Sequence, residues 1–299
     1  MQAVIDQHIT TALREYAGKL EEHFKCDVIA YVGGIYPMVI DKYRETIESL
    51  RESVAVAEKR ARIADYQEKK LVILLTTGGG VVETVEKMVD LTRHHYSEVE
   101  FIVPDMAMSA GTVWCMSGDK IWMDYGSSLG PIDPQVQTVN GTFVPALGYL
   151  DKVKEFIDKS AANTLTSAEA IMLQRLDLAE LRRYEQARDL STSLLKQWLV
   201  LYKFKNWTQH RTNNPGQSVT AAEKTARAEQ IALDLADNKR WHSHSRMISM
   251  SRLQVELRLE VDDFGGIPEL SKNVKIYNSL LLEHLERLGA HMFVHSARG

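Results

Sequence analysis

Leu71-Val72-Ile73-Leu74-Leu75-Thr76-Thr77-Gly78-Gly79-Gly80-Val81-Val82 is the stretch that decides the fold. Its uninterrupted aliphatic run reads as a strand buried on both faces, the habit of a parallel sheet. The glycines stop it, and residues 81–96 then carry Val82, Val85, Met88, Val89 and Leu91 on one apolar helical face. Glu100-Phe101-Ile102-Val103 supplies the next strand, residues 109–117 a helix, and Lys120-Ile121-Trp122-Met123 a third strand. Successive β-α-β units with short turns predict a largely parallel sheet with right-handed crossovers.

Upstream, Val4, Ile5, Ile9, Leu13, Tyr16 and Leu20 recur at helical spacing over residues 1–23, an amphipathic helix expected to pack on its own domain. Residues 27–32 are strand-like and closed by Gly33-Gly34, and residues 43–70 predict one long helix or two shorter ones. Downstream of residue 147 the periodicity is mostly helical, over 150–157, 168–181, 187–204 and 221–235. Residues 211–218, rich in Asn, Pro and Gly, form the clearest loop. An irregular stretch holds His242 and His244, residues 255–261 alternate like a last strand, and 278–288 predict a terminal helix.

The bulk properties narrow the function. The chain has 299 residues, 44% of them hydrophobic and 25% charged, the composition of a soluble globular protein with ample length for a buried core. A net charge of −4 implies no strong pull toward nucleic acid or anionic lipid. The cysteines, Cys26 and Cys115, make no disulfide framework, and Cys115 sits in an apolar run that suits a buried thiol. The N-terminus lacks the basic start and apolar stretch of a signal peptide, and no aliphatic run approaches the ~20 residues of a membrane span. A cytoplasmic protein with no integral membrane segment is the expectation.

The chemistry concentrates in three segments: Thr77-Gly78-Gly79-Gly80, Met108-Ser109-Ala110-Gly111-Thr112 and Leu129-Gly130-Pro131-Ile132-Asp133-Pro134-Gln135. Consecutive glycines after a strand let the amides of Gly79 and Gly80 point at a developing oxyanion, with Gly80 the better donor. The cluster lacks the Gly-Lys-Ser/Thr ending of a nucleotide loop and the GxGxxG spacing of a dinucleotide site. Ser109 alone would read as a helix N-cap. Placed at a strand-to-helix turn beside the glycine loop, it reads better as an exposed nucleophile, with the Ala110 amide as second oxyanion donor.

These segments, in this order, resemble the ClpP/crotonase superfamily. Within it, Ala107-Met108-Ser109-Ala110-Gly111-Thr112 followed by Gly130-Pro131-Ile132-Asp133-Pro134-Gln135 is similar to the serine dehydrogenase proteinase family, a distant ClpP relative using Ser, Asp and His in that chain order. The resemblance implies an α/β ClpP/crotonase-like fold: a parallel sheet of β-α-β units flanked by helices, with a helical C-terminal half. It implies an N-terminal amphipathic helix over residues 1–26, a protease domain over 27–270, and a C-terminal helix and tail over 271–299. It also implies a serine endopeptidase with Ser109 as nucleophile, Asp133 as carboxylate and His244 as base. His244-Ser245-Arg246-Met247-Ile248 matches the family's histidine stretch, with Met247 where proline is usual and Ser245 where aspartate is frequent. A peptide or protein substrate, self-association into a homo-oligomer and no cofactor are further implications.

Alternatives stay open at the base. SppA-like proteases on this fold pair serine with a lysine some tens of residues later, a window that holds Lys152 and Lys154. Lys239 and His242 flank His244 as reserves. A crotonase-type acyl-CoA enzyme would use the same oxyanion donors without Ser109, and a non-catalytic scaffold would keep the fold without the base. His242-Ser243-His244 and His94-His95 lack carboxylate or thiolate partners nearby, so no metal site is expected. Trp198, Tyr202, Phe204 and Trp207 predict core or a subunit contact, and Lys203, Lys205, His210 and Arg211 a solvated helix end.

Overall fold

Helix α1 (Gln2–Phe24) leads into strand β1 (Asp27–Gly33), and residues 43–70 resolve into two short helices, α2 (Ile40–Leu50) and α3 (Ser53–Arg62). The computed structural model describes residues 2–133, 135–137, 143–210 and 215–298. Pro134 and residues 211–214 of the expected loop therefore lie outside the described residues. The deciding stretch folds as anticipated: β2 (Lys70–Thr76), the glycine turn, α4 (Val82–His95), β3 (Glu98–Ile102), β4 (Met106–Ala107), α5 (Ala110–Cys115) and β5 (Lys120–Met123). β6 (Ser128–Leu129) precedes a small antiparallel hairpin of β7 (Gln135–Gln137) and β8 (Phe143–Pro145).

Helices dominate the second half: α6 (Ala146–Ala161), α7 (Ser167–Gln174), α8 (Leu178–Trp198), α9 (Ala221–Ala236) and α10 (Asn238–Trp241). The helix expected over 168–181 is broken, because Asp177 turns its carboxylate onto the Ala179 N–H and caps a new helix. Strand β9 (Ile248–Ser249), helix α11 (Met250–Val255), strand β10 (Asp262–Asp263), helix α12 (Pro268–Leu288) and strand β11 (Met292–Ser296) complete the chain.

The main sheet has strand order β10-β5-β3-β2-β1-β11, parallel throughout except for β11, which runs antiparallel to β1. Its strands bury both faces. Ile29, Tyr31, Ile73, Leu75 and Phe101 face a core closed by α2, α4, α5, α8 and α9, whereas Val28, Ala30, Val32, Val72 and Leu74 face α1 and α12. That alternation is the period of the pleat.

Two expectations fail near the C-terminus. Residues 255–261 are not a strand: α11 runs to Val255, and only Asp262 and Asp263 pair with β5. Leu257, Leu259 and Val261 are buried at alternate positions, so the alternation reports burial of irregular chain, bent at Leu257 and left-handed at Arg258, that has no ladder partner. The stretch after the last helix is not simply a tail, since β11 forms the edge of the main sheet beside β1.

Candidate active site

A second, three-stranded sheet builds the site. β4 pairs parallel with β6, Ala107 beside Leu129, and β6 pairs antiparallel with β9, Leu129 opposite Ile248. Ser109 follows β4 directly. Continuing the β6–β9 register outward places residue 133 opposite residue 244, and there His244 Nδ1 lies 3.0 Å from Asp133 Oδ1. Residues far apart in the chain are thus brought together by two short ladders.

Ser109 has φ 53° and ψ −117°, a left-handed conformation rare for a residue with a side chain. It occupies the N-cap position of α5, yet its side chain makes no capping hydrogen bond. The cap reading fails on that point, and the strained strand-to-helix turn resembles a nucleophile elbow. Among the described residues the Ser109 hydroxyl has no hydrogen-bond partner, His244 included.

The glycine turn packs directly on this serine. Gly79 has φ 103°, and a Cβ there would stand 2.8 Å from Met108 O and 2.9 Å from Ser109 Cβ. Gly80, at φ 152°, lies against the Ile35 backbone, where a Cβ would come within 2.1 Å of its carbonyl oxygen. A Cβ on Gly78 would meet nothing within 4 Å, so the need for glycine falls on the other two. The amides differ as well. Gly79 N–H donates to Thr77 Oγ1 at 3.0 Å and is spent, whereas among the described residues the Gly80 and Ala110 N–H groups have no partner. Gly80 and Ala110 are therefore the available donors.

Asp133 is 1% exposed, and His244 is largely covered. Oδ1 meets the imidazole, and Oδ2 has no partner among the described residues. A carboxylate accepts, so this contact suits the tautomer with its proton on Nδ1 and Nε2 as the acceptor nitrogen. The loop bearing Asp133 is pinned from two sides. Ile132 N–H donates to Leu235 O at the end of α9, and Thr112 Oγ1 receives the Gly130 N–H at 2.9 Å while lying 2.7 Å from Ala107 O. Thr112 thus ties the Ser109 turn to the Asp133 loop, a role that sequence reading missed; a hydroxyl inside an otherwise apolar helix was its only signal.

The other candidates lie elsewhere. Lys152, on α6, is exposed and ion-paired with Glu155 at 2.8 Å, and Lys154 is exposed on the same helix. Lys239 pairs with Asp151, and His242 is an exposed residue in a left-handed turn after α10. His94 and His95 stack edge to face at the end of α4. Among the described residues no group of three or more His, Cys, Asp and Glu could hold a metal ion. Among them, too, no helix is long and apolar enough to cross a membrane. Trp198 is core, whereas Lys203 is half-buried beneath α8 rather than at a solvated helix end.

Comparison with known proteins assigns the family. The family model described as ClpP-like SDH-type serine proteinase matches residues 24–210. Two curated relatives, the uncharacterized proteins MJ0137 and MJ1495 of Methanocaldococcus jannaschii, are 34% identical over 103 residues and 31% identical over 64 residues. The matches cover 34% and 21% of this chain and only 34% and 22% of those proteins' own length. Among solved structures, a mutant of the 1510-N membrane-bound stomatin-specific protease in complex with a substrate peptide aligns at 20% identity over 53% of this chain and 78% of its own, with a TM-score of 0.32. The ClpP protease catalytic domain from Plasmodium falciparum aligns at 16% identity over 53% and 80%, with a TM-score of 0.29.

Proposed function

The chain belongs to the ClpP-like SDH-type serine proteinases, and we propose that it is an endopeptidase working through an acyl-serine on Ser109, with His244 as base and Asp133 as its orienting carboxylate. The observation that carries this reading is the 3.0 Å contact between His244 Nδ1 and the buried Asp133 Oδ1. It leaves Nε2 basic, which a serine hydroxyl needs at neutral pH.

In this mechanism Ser109 Oγ attacks the scissile carbonyl carbon as His244 Nε2 takes its proton. The Gly80 and Ala110 amides hold the oxyanion, each such donor contributing about 3 kcal/mol to the barrier reduction. The tetrahedral adduct collapses, the C–N bond breaks, and Nε2 returns the proton to the leaving amine. Water, deprotonated by the same nitrogen, then opens the ester and frees Ser109.

Ser109→Ala should abolish fluorophosphonate labelling and peptide cleavage while the fold persists; equal labelling of wild type and variant refutes the nucleophile. His244→Ala should be as inactive as Ser109→Ala, and Lys152→Ala and Lys154→Ala should stay active. The reverse pattern would establish a Ser-Lys dyad, which the Lys152–Glu155 pairing already disfavours.

The protein also acts as a homo-oligomer in this reading. Ile171, Met172 and Leu178 are 54%, 58% and 78% exposed on α7 and α8, apolar surface that contact between copies would cover. Sedimentation velocity should give an assembly, and Met172→Glu should weaken it; a monomer at all concentrations overturns this part. Free, buried Cys26 and Cys115 fit a reducing, cytoplasmic setting, which cell fractionation tests.

A further inference from the structure

At the end of the main sheet where β3 and β5 begin, a cavity of 1190 Å³ opens beside the turn that follows α8. Ser109 lies beyond the opposite end of these strands, so the cavity is separate from the candidate active site. One wall is the π-helical turn Leu199–Lys203, a widened turn of a kind found mostly at functional positions. Others are residues 258–261, α9 through Arg227, and Trp207.

The charges around it are unevenly committed. Asp119 is held by Arg93 at 3.0 Å and by Lys205, and Glu98 meets Lys70 at 3.7 Å. Of the other lining groups, Lys120, Lys203, Arg227 and Arg258 outnumber the carboxylates Asp262 and Glu260. Lys203 makes no ion pair among the described residues; burial pushes its amine down to about 8, with Asp262 and Glu260 acting the other way. Arg227 donates to Leu257 O, and its pKa is lowered by burial and then by the neighbouring Arg258 guanidinium. Arg258 itself makes no ion pair among the described residues and sits at φ 44°, a left-handed backbone costing about 1–3 kcal/mol. Two guanidinium and two ammonium groups against two carboxylates leave an excess of positive charge that suits an anion, and guanidinium forks match phosphate oxygens best.

The remaining wall is aromatic. Trp207 packs edge to face on Phe204 at 5.5 Å and on His210 at 5.7 Å, and all three line the cavity. Indole beside cations is what a planar, electron-rich ring with a phosphate would meet. We propose that this cavity binds a nucleotide, its phosphate on Arg227, Arg258 and Lys203 and its base against Trp207.

The full chain titrated with adenosine 5′-monophosphate, by calorimetry and by tryptophan fluorescence, tests this. Saturable binding is expected, displaced by inorganic phosphate and weakened about tenfold or more in Arg258→Gly and in Trp207→Leu. Arg258→Gly relieves the backbone conformation as it removes the guanidinium, so it should fold; Lys203→Met, which keeps the apolar stem, repeats the test. Absence of saturable binding at millimolar nucleotide, failure of phosphate to compete, or undiminished binding by the variants overturns the proposal.

Discussion

Ser109 holds a backbone conformation that costs about 1–3 kcal/mol, and its neighbours enforce it. Gly79 leaves no room for a Cβ beside it, Met108 O accepts the Gly111 N–H, and Thr112 anchors the first turn of α5. Gly79→Ala should therefore both strain the φ 103° turn and push on Ser109. We expect a loss of more than about 1 kcal/mol of stability, read as a lowered thermal midpoint, and a fall in fluorophosphonate labelling of the folded fraction. The serine's residue type and its place after a strand were legible in the sequence. Its dihedral angles were not, because they follow from a glycine packed against it from another β-α unit. Likewise the spent amide of Gly79 depends on the Thr77 hydroxyl, a bond that adjacency alone does not announce.

Secondary-structure elements were legible where burial and pairing coincide. β2 is a continuous aliphatic run, β3 and β5 hold shorter apolar runs between helices, and each lies in the sheet interior. Where burial and pairing part, the pattern misleads: 256–261 alternate without a ladder, and β11 forms a ladder with little pattern. Met292-Phe293-Val294-His295-Ser296 has an apolar run of only three residues, and its partner β1 lies at the other end of the chain. The Asp133–His244 pair was legible only through the family resemblance, since the register that joins β6 to β9 rests on two residues a side. A chain cut after residue 289 should expose the edge of β1 and unfold at a lower urea midpoint, with self-association through that edge. A midpoint equal to that of the whole chain would show that β11 contributes no stability.

Across the whole molecule, two cores share one sheet, and the pH response belongs to the core beneath α1 and α12. His295 is 2% exposed, its Nδ1 2.7 Å from the Tyr277 hydroxyl, and its pKa falls to about 4 through burial, with Arg14 and His284 adding to the effect. The unfolded chain binds this proton near pH 6.5, so stability is full above that value and declines as pH falls toward 4. The loss should reach about 3 kcal/mol. His295→Gln should flatten that part of the stability profile in urea titrations between pH 4 and 7; an unchanged slope would assign the loss to other groups. The small sheet has a different consequence, one of timing. β4 and β6 leave the ribosome long before β9, so a nascent chain displays the serine and the aspartate while the histidine is still untranslated. For the proposed triad, synthesis itself then acts as the safety catch: the growing polypeptide would lack its base until its last quarter has been made.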